Sequence, residues 1–98
     1  MTTTAERLRD TRVKIDSALA SVRADRGASP VLIAVVSEFA QKAEKATHSD
    51  DERTAVIELE QAGDSAKAAA EADPGVSDDA RESVLAAHLA ICKLKAGA

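Results

Sequence analysis

Apolar and polar positions recur along this chain with a period near 3.6, interrupted by three short polar stretches, and the pattern predicts four helices and no strand. The strongest signal lies in residues 30–47. There Val31, Leu32, Ile33, Val35, Val36, Phe39, Ala40, Ala43 and Ala46 spread over about 200° of a helical surface, twice the stripe of an ordinary surface helix, so at least two neighbouring helices are required. Ser29 and Pro30 mark the start, because the serine oxygen can accept an orphan backbone N–H and proline fits the first helical position. Leu32 and Phe39 are expected to be almost fully buried.

The other elements are weaker. A helix over about 5–26 follows Thr3 or Thr4, with Glu6 placed to complete a capping box. Its Leu8, Ile15 and Val22 recur at seven, with Leu19 beside them, a stripe for one partner. A helix over about 50–72 starts at the candidate capping box Ser49-Asp50-Asp51-Glu52. It turns Ala55, Val56, Leu59, Ala62, Gly63, Ala66, Ala69 and Ala70 inward. The small second half predicts close approach by a neighbour, and Gly63, which costs about 1 kcal/mol relative to Ala, marks a candidate kink.

Asp73-Pro74-Gly75 is a turn, after which Ser77 caps a helix over about 78–95. That helix has two apolar flanks, Val84, Ala87, Ile91 and Leu94 on one and Leu85, Leu89 and Cys92 on the other, with Arg81, His88 and Lys95 between them. No internal repeat is apparent. Short connections favour antiparallel neighbours, so the expected fold is all-α: a single domain over 1–98, built as a four-helix, mostly antiparallel up-and-down bundle.

Composition adds that the core is thin. Val, Ile, Leu and Phe supply 20 of 98 residues and Ala supplies 22, so order rests on helix propensity and self-association is a reasonable expectation. A single cysteine, Cys92, excludes an internal disulfide and fits a reducing compartment. Met1 to Lys14 holds no signal-peptide core, and the apolar run Val31–Val36 is far shorter than the ~20 residues of a bilayer span. A cytoplasmic, small acidic protein without membrane contact is expected.

The net charge of −4 argues against nucleic acid as a partner. It is unevenly shared: +2 over 1–26, 0 over 27–49, −6 over 50–73 and 0 over 74–98. A basic first helix beside an acidic third would be favourable, although exposed pairs contribute only about 0–1 kcal/mol each.

Candidate chemistry is sparse. Glu44 with His48, and His88 with Cys92, stand at i, i+4, a spacing that can hold zinc. Bundle topology offsets the two pairs along the axis by roughly 8 Å at 1.5 Å per residue, so no metal site is expected, and no cofactor. Arg81 and His88 resemble the Arg-x(4–6)-His signature of the HEPN ribonucleases, whose all-α dimers place both residues at an RNA-cleaving cleft. The resemblance covers eight residues and departs from the family at Glu82, where a polar Asn, Asp or His often follows the arginine.

Gly63-Asp64-Ser65 resembles the phosphopantetheine attachment site of carrier proteins, except that Ala66 stands where a large apolar residue belongs. His88 lacks the Lys-Gly that follows the histidine of phosphotransfer bundles. No motif names an activity. The leading expectation is a non-enzymatic protein–protein interaction or assembly module, homo-oligomeric or adaptor-like, acting through a helix face. The alternatives are a small ribonuclease or toxin using Arg81 and His88, and an acidic inhibitor or immunity-type protein using Glu58 and Glu60.

Overall fold

The computed structural model describes residues 3–97. It consists of α1 (Thr4–Ala24), α2 (Pro30–Thr47), α3 (Glu52–Ala72) and α4 (Asp78–Gly97), in a body 39 × 21 × 19 Å. Each helix packs chiefly on the two that flank it, α1 on α2 and α4, α3 on α2 and α4, which makes an up-and-down square. The basic α1 and the acidic α3 are therefore diagonal rather than side by side, because short connections force successive helices to be neighbours.

Every helix begins with the same device. Thr3 Oγ1, Ser29 Oγ, Asp51 Oδ1 and Ser77 Oγ each accept the amide N–H three residues on, at 3.1–3.2 Å. The third of these corrects the expected Ser49 box: Asp51 is the cap, and Ser49 instead hydrogen-bonds around it as the chain turns. The Thr54 hydroxyl also donates to Asp51 and, with the amide, holds that carboxyl below its usual range.

Leu32, Val36, Phe39, Ala43 and Ala46 of α2 are buried, with Leu32 and Phe39 fully enclosed as their pattern required. Val31 departs from the expected apolar arc, standing 68% exposed on the first turn. In α1, Thr11 and Ala18 complete the buried stripe of Leu8, Ile15 and Val22; Thr11 is tolerated there because its hydroxyl donates to Arg7 O. No break occurs at Gly63, and α3 is continuous from Glu52 to Ala72. A Cβ there would stand 3.1 Å from Phe39 Cζ and 3.3 Å from Ile91 Cγ2, so the glycine makes room for the largest core side chain.

The structure reveals a repeat that the apolar pattern alone did not. Helices α1 and α3 have identical lengths 48 residues apart, Thr4 to Glu52 and Ala24 to Ala72, and Pro30 of α2 maps onto Asp78 of α4 in the same way. Every buried helix position of the first half (8, 11, 15, 18, 22, 32, 36, 39, 43, 46) recurs buried in the second at 56, 59, 63, 66, 70, 80, 84, 87, 91 and 94. Two helical hairpins are thus related by an approximate two-fold axis along the bundle.

At the end where both hairpin loops lie, the relation extends to hydrogen bonds. Ala24-Asp25-Arg26-Gly27-Ala28-Ser29 matches Ala72-Asp73-Pro74-Gly75-Val76-Ser77. Asp25 accepts the N–H of Gly27 in its own loop (2.8 Å) and of Ser77 in the other (2.7 Å). Asp73 accepts Gly75 (2.9 Å) and Ser29 (2.8 Å) in the mirrored way. Between them the loops touch backbone to backbone. A Cβ on Gly27 would run into Gly75 O, and one on Gly75 would run into Gly27 O. Both glycines have ordinary negative φ, so close approach is what demands them.

Candidate functional site

The line Arg81, His88, Lys95 faces α3 and becomes a ladder of polar contacts. At its lower end the Arg81 guanidinium donates to the carbonyls of Ala70 (3.2 Å), Asp73 (3.3 Å) and Val76 (3.4 Å) and pairs with Asp78 at 2.9 Å. It thereby satisfies carbonyl groups left open where α3 ends. One turn of α3 from Asp64, Glu60 receives Lys95 at 2.9 Å, and that hydrogen bond raises the lysine's pKa.

In the middle, His88 Nε2 lies 2.7 Å from Asp64 Oδ1, with the imidazole mostly enclosed and the carboxylate 62% exposed. With the proton on Nε2 this is a hydrogen bond, and with a protonated ring it is an ion pair. Cys92, one turn on, places Sγ 3.6 Å from Nε2 and 3.9 Å from Nδ1 of His88. Near-equal distances put the sulfur over the ring rather than in line with a ring lone pair. Burial, with Glu60 and Asp64 adding to it, pushes the thiol pKa up. Asp64, His88 and Cys92 are thus neighbours without the in-line geometry or the lowered pKa that an activated nucleophile requires.

Arg81 and His88 occupy successive rungs with different partners, carbonyls and Asp78 for one and Asp64 for the other. Ser65 is inside α3, donating to Gln61 O at 3.3 Å, rather than on the helix-opening loop of the carrier-protein pattern. His48 is the exposed residue that ends α2, and α2 and α4 are diagonal, so the two His-containing pairs do not meet. Among the described residues no cluster of three or more His, Cys, Asp or Glu side chains is placed to hold a metal ion. Glu58 is exposed and lines, with Val35, Glu38, Lys42, Gln61, Ala62 and Ser65, an open groove of about 310 Å³ between α2 and α3.

The outer face of α4 is different in kind. Leu85, Leu89, Cys92 and Ala96 recur at spacings of 4, 3 and 4, the stripe that a second helix would pack against. The bundle core uses Val84, Ala87, Ile91 and Leu94 instead, leaving Leu85 and Cys92 half-buried and Leu89 53% exposed. The repeat shows that the fold does not require this strip: the equivalent positions on α2 are Ser37, Gln41, Glu44 and His48. Among the described residues the other exposed large aliphatics, Val13, Val31 and Ile57, are each on a different helix.

The loop clasp is what sequence reasoning missed, although its signal, Asp-x-Gly-x-Ser occurring twice 48 residues apart, was present. No helix among the described residues is long and apolar enough to cross a membrane. No known protein family, curated protein or solved structure matches the chain.

Proposed function

We propose that the protein is a non-enzymatic interaction or assembly module that works through the outer face of α4. The observation that carries this reading is the Leu85-Leu89-Cys92-Ala96 strip, apolar on α4 where its counterpart on α2 is polar. Exposed single aliphatics are ordinary on protein surfaces, but a strip at coiled-coil spacing that the core does not use fits helix-to-helix recognition. The polar ladder beside it supports the same reading, since its basic groups are engaged in holding α3 to α4.

The geometry lends less to the ribonuclease alternative, in which Arg81 would have to leave three carbonyls to meet a phosphate. The test is affinity capture from cells that make the protein, with the wild-type chain and Leu89→Glu as baits. Wild type is expected to retain a protein, another species or the chain itself, that Leu89→Glu does not. Identical captured sets would overturn the reading.

A further inference from the structure

Resting on that reading, we infer that the partner of the α4 face is a second copy of this chain, docked so that the two α4 helices run antiparallel across a two-fold axis. Charge selects the occupant and its direction. The N-terminal half of α4 carries exposed Asp79 and Glu82 and its C-terminal half exposed Lys93, whereas Asp78 and Lys95 are already paired with Arg81 and Glu60. A parallel pairing would set like charges opposite each other. An antiparallel pairing sets each acidic half against a basic half, twice over.

The helical register agrees. Glu82 and Lys93 lie on the same side of the strip, 11 residues or about three turns apart, and flank its centre near residues 88–89. In an antiparallel pair the same flanks of both helices face each other, so Glu82 of one copy reaches Lys93 of the other on both sides of the axis. Leu85 then lies over Cys92 of the second copy, and the two Leu89 side chains meet close to the axis, where a two-fold interface is self-complementary. Lys95 is already held by Glu60 and Arg81 by carbonyls, so the opposite flank adds no unpaired like-charge contact.

The equivalent face of α2 lacks these features. Ser37, Gln41 and Glu44 replace the apolar strip, and the charges of α2 are mixed along its length, with Glu38 and Lys42 a single turn apart. The two-fold relation inside the chain thus leaves one face of this kind, which closes a dimer rather than propagating a filament.

The experiment is sedimentation velocity on the full chain in reducing buffer from about 1 to 200 μM. Wild type should sediment as a monomer–dimer equilibrium. Leu89→Glu should raise the dimer dissociation constant at least about tenfold. Glu82→Lys and Lys93→Glu should each raise it roughly threefold or more, and the doubly exchanged chain should return near wild type, since swapping both charges restores the pairs.

Circular dichroism on each variant confirms that helicity is retained. A dimer indifferent to Leu89→Glu and to the charge exchange would overturn the inference while leaving self-assembly through another face. A monomer at every concentration would overturn it too. The capture experiment then decides the wider reading, which stands if a different protein is held through Leu89 and falls if none is.

Discussion

The two hairpins share one backbone plan and fill it with opposite residues. In the first, Phe39, Ile15, Val22 and Leu32 supply bulk where the second has Ala87, Gly63, Ala70 and Ala80. At the opposite end the order reverses, and Leu59, Ile91 and Leu94 face the axis where the first hairpin has Thr11, Ala43 and Ala46. At these seven pairs a large residue has a small counterpart, while Leu8 with Val56 and Val36 with Val84 are bulky on both sides, so each half is shaped to receive the other. This explains a glycine in the middle of α3: it costs helix propensity, but Phe39 occupies the space its side chain would take.

Removing bulk from the better-filled half should do the most damage. Phe39→Ala, at a fully buried site, is expected to cost about 3–5 kcal/mol, read as a lower urea midpoint with an unchanged m-value. Moving the bulk sharpens the comparison further. Phe39→Ala with Ala87→Phe leaves a void above Gly63 and crowds the position that the repeat sets against Ile15. Adding Ile15→Gly and Gly63→Ile rebuilds both fits in exchanged places, and the fourfold variant should regain roughly 2 kcal/mol over the double. A fourfold variant no more stable than the double would show that the halves are not interchangeable.

The shared clasp should fail from either side. Gly27→Ala and Gly75→Ala each drive a methyl into the facing backbone and should each cost about 1–3 kcal/mol, with Gly27→Ala the worse because its contact is closer.

Acid tests the same clasp. Ser77 and Gly27 donate to Asp25, and Ser29 and Gly75 to Asp73, and both carboxyls are thereby held below their usual range. A carboxyl depressed on folding contributes stability that is full above its unfolded value of about 3.9 and disappears as pH falls through the folded value. Unfolding midpoints should therefore drop below about pH 4, and Asp25→Asn with Asp73→Asn should flatten that limb. The smallest effect belongs to the faces: Leu89→Glu on α4 and Gln41→Glu at the matching place on α2 should each change monomer stability by no more than about 0.5 kcal/mol.

The helices were legible because caps and period agreed. Ser29-Pro30, the Asp-Pro-Gly turn and Ser77 mark boundaries by backbone chemistry, and Phe39 and Leu32 sit at the centre of a wide apolar arc. The repeat was hidden because a buried position constrains volume across the axis rather than identity. Phe39 with Ala87, or Ile15 with Gly63, looks like no similarity at all until the burial pattern is laid out. What stayed alike is what the backbone itself requires, the Asp, Gly and Ser of the clasp. Arg81 and His88 were visible as an unusual polar line, but their partners on α3, the Ala70 carbonyl 11 residues from Arg81 and Asp64 24 residues from His88, are not revealed by spacing alone.

The connection from His48 to Asp51 also changes the kind of process that folding is. The two hairpins pack on each other through α1 with α4 and α2 with α3, and this connection makes their meeting intramolecular, at an effective concentration in the millimolar range. Such a tether is forgiving of length, since each doubling costs only about 0.6 kcal/mol. The second hairpin, short of bulk where the first is rich, is therefore kept folded in part by the constant presence of its counterpart.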